Sequence, residues 1–511
     1  QMNMAYEHGV ETIWIVNVGD IKPMEFPVSF FLDMAWAPKE WSADKIDDYT
    51  KLWAQQQFRE DHAESIGNFL ARYGKFNGRR KPELLDGTTY RIINFKEAES
   101  VLADYKKLER EVDSIGELLP AKFHDAYYQL VEFPVDACAN LLDMYINLGK
   151  NYLYGFQGRS SANEYGKKAL ELFEKDKAIT DYYHTQVANG KWDHMMSQPH
   201  IGYTSWQSPS SNIKPTIYEI EVPGKANMGL TVEDEEGFWP GVNNFILRFD
   251  VFHQQESYIE VFNRGKTPYE YRVETNAPNV LIAPNEGIIS DEQRLSVTID
   301  WESTAYGIDT IPITIYGPEE QVAIVYIRIL NPESTNPEEI DAFIENNGFV
   351  AMEAHHYSEM TESGQNSWLT IPDFGKTGSG VTTMPATASS VSPDGNSPHL
   401  SYNTYLFSTG TINVKVYLAP TINYLARPEG MRYGISFNDE NPVIKSFDGD
   451  TDAGRANNII ISTTSHEITA AGPHVLKYWM VDPGVVLQKI VIETGAIKNS
   501  YLGPPEQPYE L

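Results

Sequence analysis

Residues 11–25 read Glu-Thr-Ile-Trp-Ile-Val-Asn-Val-Gly-Asp-Ile-Lys-Pro-Met-Glu, and the fold class turns on them. Ile13-Trp14-Ile15-Val16 is a short continuous apolar run, rich in β-branched and aromatic residues. Such a run suits a strand buried on both faces of a parallel sheet. Residues 4–9 before it read as the end of a helix with Gly9 at its C-cap. After it the chemistry turns polar, through Asn17, Gly19, Asp20, Lys22 and Glu25, and a second helix is expected from about Ser29. Helix, glycine, buried strand, polar loop and helix form the repeat of an α/β barrel or a doubly wound sheet, whose active sites lie where strands end. The alternative is an ordinary loop shaped by Gly19 and Pro23.

A chain of 511 residues is too long for one core, so three or four domains are expected. The formal net charge is −31, from 71 acidic and 40 basic residues, and the largest basic cluster is Arg79-Arg80-Lys81. That balance argues against a nucleic-acid partner, which needs concentrated Lys and Arg. Cys138 is the only cysteine, which excludes an intrachain disulfide and a cysteine-based zinc site. No apolar run approaches the ~20 residues of a membrane span, and no signal peptide is evident. The sequence opens directly into a helix and a central strand, so it is expected to be the C-terminal part of a longer protein.

Helical periodicity dominates residues 29–206, with segments at 42–73, 95–118, 121–149 and 163–189. Asn77-Gly78, Asp86-Gly87, Leu119-Pro120 and Gly155–Gly158 mark the breaks, and Asn94 and Ser161 are candidate caps. A Ser, Pro and Asn-rich linker at 207–215 then leads to short alternating strands at 216–222, 245–252, 257–263, 269–276, 294–301, 310–316 and 322–330. Their spacing indicates an immunoglobulin-like β-sandwich. A second linker at 331–337 and a short acidic helical segment precede a final β-rich domain. There, residues 377–396 read as a long loop and five strands follow, suiting a jelly-roll of the carbohydrate-binding kind. The fold class is therefore multidomain: the end of an α/β (TIM) barrel at 1–75, an α-helical bundle at 76–206, and β-sandwiches at 207–335 and 345–511.

Residues 190–209 are the densest in functional side chains, with His194, His200, Tyr203 and Trp206. Only Asp193 stands near enough to help ligate a metal, so packing between domains is the preferred role. Asp448, Asp450 and Asp452 alternate like calcium ligands, but the glycine comes late and no acidic residue closes the loop, which makes it a solvated turn. His355-His356 reads as surface. There is no nucleophile elbow, dinucleotide fingerprint or phosphate loop.

Seven segments together resemble glycoside hydrolase family 115, the xylan α-1,2-glucuronidases: residues 13–36, 77–85 (NGRRKPELL), 157–163 (QGRSSAN), 190–207, 353–358 (EAHHYS), 474–495 and 500–506 (SYLGPPE). They lie in the family's order across nearly the whole chain. The resemblance implies a barrel before the helical bundle and inverting removal of glucuronic acid or its 4-O-methyl form from xylan, with no metal or organic cofactor. It places Asn17 in the uronate pocket, Asp20 and Glu25 as candidate catalytic carboxylates, and Lys22 as the cation that offsets the uronate. The general acid is expected on an earlier barrel strand. Partners in this reading are glucuronoxylan or aldouronic acid oligosaccharides and a second copy in a homodimer, in a periplasmic or secreted setting. The competing reading is a non-catalytic carbohydrate-binding or structural fragment.

Overall fold

Eight helices make up the first part of the computed structural model, which describes residues 2–19, 21–203, 209–333 and 339–507. They are α1 (Met2–Glu7), α2 (Glu25–Trp36), α3 (Ile46–Phe58), α4 (Ala63–Arg79), α5 (Glu97–Leu118), α6 (His124–Tyr127), α7 (Phe133–Gln157) and α8 (Ala162–Thr185). Helix α5 buries Ala98, Val101, Tyr105, Leu108 and Val112, the three-and-four spacing of a helix with one face in a core. Helix α7 is buried nearly all round and packs against α5 and α8. None of the described helices is long and apolar enough to cross a membrane.

The strand expected at 13–16 does not form. Residues 13–18 have no regular structure, and Ile13, Ile15 and Val16 are 69, 87 and 47 % exposed. A strand needs neighbours for its N–H and C=O groups, and among the described residues nothing pairs with this segment. No barrel strand is therefore present among the described residues before 204. Helix α2 starts at Glu25, four residues earlier than expected, so Glu25 is a helix residue rather than a loop residue. The expected helix at 42–73 breaks at Arg59, whose φ is +77°, while α4 runs through the expected break at Asn77-Gly78 and α7 runs past Gly149 to Gln157. Ser161 sits at the N-cap of α8 but donates its hydroxyl to Glu292 at 3.2 Å, and Asn94 bonds Asn499 O instead of capping.

The first sandwich pairs a sheet of strands 228–232, 257–263, 292–299 and 280–283 with a sheet of strands 245–250, 322–331, 307–316, 269–274 and 286–289. Residues 216–222, expected as its first strand, instead lie extended along the bundle. The Asn151 and Asn163 side chains each donate to and accept from this backbone, at Tyr218 (2.8 and 2.7 Å) and Ile220 (2.9 and 3.0 Å). Two helix amides thus replace a neighbouring strand, which is why the segment alternates like one. The C-terminal domain is a second two-sheet sandwich, and the expected loop at 377–396 contains a strand at 380–384. In the acidic loop after it, Arg455 pairs with both Asp450 and Asp452.

Arg159 fastens the bundle to the first sandwich. It has no exposed surface, and its Nη2 and Nη1 lie 2.7 and 3.1 Å from Glu260 and Glu292. Its guanidinium sits between the rings of Tyr154 and Phe262, at 3.9 and 4.1 Å. Burial acts to raise the pKa of Glu260, but the Arg159 and Arg294 charges hold it below the usual carboxylate range. Arg159→Met leaves Glu260 and Glu292 without this partner, and we expect a loss of about 3–5 kcal/mol in urea unfolding. The further change Glu260→Gln is expected to recover part of that loss.

Lys376 lies at the other joint, 3 % exposed, with its ammonium 3.6 Å from the centre of the Tyr501 ring. Burial, then the nearby Arg80 charge, lowers its pKa to about 7, with Glu97 opposing. The folded value is below the unfolded one, so this contribution to stability is intact above about pH 10.5 and is lost as pH falls to about 7. Lys376→Met is therefore expected to raise the melting temperature at pH 6–7, with the gain shrinking towards pH 10.

Candidate active site

Helix α2 sets the geometry. Glu25 is its first residue, where a negative charge suits the positive end of the helix dipole. Phe26 meets Tyr49 and Trp53 of α3 with ring centres 6.2 and 5.3 Å apart, and Phe30 meets Tyr49 at 4.9 Å. The Tyr49 hydroxyl donates to Asp33 at 2.7 Å. This aromatic face holds Glu25 at a corner between the α2 loop and the bundle.

Lys22 pairs with Glu25 Oε1, and Gln129 Nε2 donates to the same oxygen at 3.2 Å. Gln129 lies in the π-helical turn Tyr128–Glu132 between α6 and α7, and such turns recur at functional sites. The Lys22 ammonium also stands 4.8 Å from the centre of the Trp192 ring, with Lys191 at 4.7 Å from the same ring. Glu25 Oε2 is buried without a hydrogen-bond partner among the described residues. The hydroxyl of Tyr183, a fully buried residue of α8, is likewise unpartnered. Burial, then the Glu25 charge, pushes that phenol up to about 12.

Trp192 reaches this corner because the chain reverses after α8. Ala188, Asn189 and Gly190 have φ of +48, +55 and +76°, a left-handed run that folds the chain back. His184 Nε2 accepts the N–H of Met196 at 3.0 Å, and Asp193 lies 3.9 Å from His184 and 3.6 Å from His194. His200 pairs with Asp176 at 2.9 Å; burial opposes its charged form, yet the Asp176 carboxylate leaves its pKa raised. These histidines pin the returning segment and do not converge on one centre.

The structure thus brings Lys22 and Glu25 together and adds Gln129, Tyr183 and Trp192. Asn17 stands apart, exposed, its side chain accepting the Gly19 N–H at 3.2 Å in a local turn. Asp20 and Trp206 lie outside the described residues. Tyr183 and Gln129 escaped the sequence reading because apolar periodicity assigns such helix residues to packing; only the crowding of polar groups in residues 190–209 pointed to this corner. His355-His356, read as surface, is partly buried: His356 Nδ1 lies 2.7 Å from Glu506, and neighbouring Glu353 pairs with buried Lys489 at 3.1 Å. Elsewhere in the bundle, carboxylate oxygens of Asp113, Glu132 and Asp136 lie within 4.8 Å of one another, and burial, then Asp113 and Glu132, pushes Asp136 up to about 7.

A carboxylate with a free oxygen, a cation and an indole face are the equipment of a sugar site: hydroxyls bond the carboxylate and a ring face packs on the indole. The model of glycosyl hydrolase family 115 matches residues 1–84, and that of the family's C-terminal domain matches residues 342–506. Both ends of this chain belong to glycoside hydrolase family 115. A solved family 115 4-O-methyl-α-glucuronidase with specificity for decorated arabinogalactans aligns with 97 % of the chain and 48 % of its own length, at 14 % identity and a TM-score of 0.57. The family 115 chain therefore spans about half the length of that relative and shares its fold, a helical region followed by β-sheet domains.

Two carbohydrate-binding modules also match. One is the C-terminal family 6 module of a Zobellia galactanivorans laminarinase, at 15 % identity, covering 28 % of this chain and 98 % of that one, with a TM-score of 0.21. The other is a family 35 module from Clostridium thermocellum, at 18 % identity, covering 28 % and 97 %, with a TM-score of 0.22. No curated protein matches the sequence.

The Gln129–Glu25 bond gives a direct test of the corner's geometry. Single Glu25→Ala and Gln129→Ala changes and their combination, compared by urea unfolding, are expected to show a coupling of about 1–2 kcal/mol.

Proposed function

We propose that the protein removes α-1,2-linked glucuronic acid or its 4-O-methyl ether from glucuronoxylan with inversion, and that the Lys22–Glu25–Trp192 corner helps to hold the uronosyl unit. The observation that carries this reading is convergence. The two segments richest in polar chemistry, 11–25 and 190–209, meet where Lys22 faces Trp192. Lys22 matches a uronate carboxylate in charge, and the indole offers a face to the sugar ring.

In this reading Glu25 is the base-side carboxylate. Inversion also needs a carboxylic acid on the opposite face of the sugar, far enough away to admit a water. No metal or organic cofactor enters the reading. Pairing into a homodimer and a periplasmic or secreted location belong to the same proposal. A second substrate, decorated arabinogalactan, is favoured by the specificity of the solved relative.

The test is release of glucuronic acid from aldouronic acids, glucuronoxylan and arabinogalactan by the full-length protein that carries this chain. Glu25→Gln is expected to lower kcat/KM by about 10²–10⁴, and Lys22→Met to raise KM more than it lowers kcat. Activity on arabinogalactan alone would replace the xylan reading. A protein that binds these polymers but releases no uronic acid would leave the non-catalytic binding module.

A further inference from the structure

A cavity of about 380 Å³ lies on the outer face of the C-terminal sandwich, within the ~300–1,000 Å³ range of small-ligand sites. Strands His399–Leu406 and Gly472–Met480 pair so that Asn403 stands opposite Val475 and Tyr405 opposite Pro473. Tyr402, Leu406, Leu476 and Tyr478 fill the core from the other face of the same strands, so alternation turns these four residues outward, where they line the cavity. Residues 339–342 form the facing wall, and the Asn403 side chain donates to Asp341 O at 3.4 Å.

The lining offers both donors and acceptors. Asn438 Oδ1 accepts from Val475 N at 3.0 Å, which turns its amide nitrogen to His474 Nδ1 at 3.1 Å. His474 then carries its proton on Nε2, 2.9 Å from Ala470 O. Asn403 Oδ1 and the Tyr405 hydroxyl make no hydrogen bond among the described residues. Glu339 and Asp341 add two carboxylates, and no lysine or arginine lines the cavity.

This lining selects its occupant by charge and by hydrogen bonding. An anion meets two carboxylates with no cation to answer it. Among the described residues no three His, Cys, Asp or Glu groups converge here to hold a metal. An apolar ligand leaves the Asn403 oxygen and the phenol unpaired. Hydroxyl groups donate to the amide and carboxylate oxygens and accept from the phenol, while a pyranose C–H face packs on Tyr405 and Pro473. We propose that this cavity is a non-catalytic site for a neutral sugar unit of a polysaccharide. The choice of a sugar among polyols rests on the family placement of residues 342–506, and not on the uronosyl reading of the α2 corner.

The experiment is calorimetric titration of xylotriose, β-1,3-galactotriose and glucuronic acid into the intact chain, with crystals of that chain soaked in each. Heat from a neutral oligosaccharide is expected, with a ring in the cavity and hydroxyls within about 3.2 Å of Asn403 Oδ1 and the Tyr405 hydroxyl. Asn403→Ala and Tyr405→Ala are each expected to weaken that binding about 5- to 10-fold. An empty cavity in every soak, a sugar in the cavity without heat in solution, or glucuronic acid as its occupant overturns the proposal. So do two folded variants that bind as tightly as the unaltered chain. The soaked crystals decide the matter even where a variant fails to fold. Neutral-sugar binding in the cavity beside a full-length protein that releases no uronic acid supports this site and sinks the uronosyl reading alone.

Discussion

A guanidinium with no exposed surface can exist only where its charge is answered from every side, and Arg159 shows what that demands. Its two carboxylates come from strands of the first sandwich, while one of its flanking rings and the Gln157 that accepts from its Nε belong to α7. Neither domain alone satisfies it. The neighbours of Arg159 extend the joint, since Gln157 also donates to Glu236 O at 2.9 Å and Ser160 N to Asn263 O at 2.8 Å. Tyr165 donates to Glu292 at 3.0 Å. The segment QGRSSAN is therefore joinery between the bundle and the first sandwich.

The C-terminal end does the same work at the second joint. Ser500 and Leu502 both donate to the buried carboxylate of Glu97 on α5 at 2.7 Å, and Tyr501 donates to Arg79 O at 2.9 Å. Arg79 in turn donates to Lys376 O at 3.1 Å. Glu506 then accepts from Glu353 N and pairs with His356. Four of the segments that carry the family resemblance, 77–85, 157–163, 353–358 and 500–506, thus lie at contacts between parts of the chain. Their shared residue types follow from burying charge and hydrogen-bonding groups at joints rather than from chemistry on a substrate.

That division explains what could be read in the sequence. Strand 322–331 and helix α5 were legible because their burial follows a simple local period that packing reinforces. Residues 13–16 and 216–222 carry strand-like patterns too, but a pattern specifies an extended backbone and not its partner. One segment has no partner among the described residues, and the other found two asparagine amides. The candidate corner was half legible. Lys22 and Glu25 announce themselves as charges in a polar loop, whereas Gln129 is an ordinary helix residue until a π turn aims it at the Glu25 carboxylate.

An acidic protein proposed to handle an acidic sugar must overcome its own field. With a net charge of −31, the chain repels a uronate at long range. At physiological ionic strength, however, charges more than about 8 Å apart across solvent are largely screened, so the groups in direct reach decide the local sign. At the α2 corner these include Lys22 and Lys191, each less than 5 Å from the centre of the Trp192 ring, and the carboxylate of Glu25. The indole keeps both ammonium groups beside its ring without neutralising either, because its quadrupole attracts cations and carries no net charge. On the proposed reading, that is how a strongly acidic chain offers a uronate a local positive surface, and why a tryptophan rather than a second acid belongs beside the two lysines.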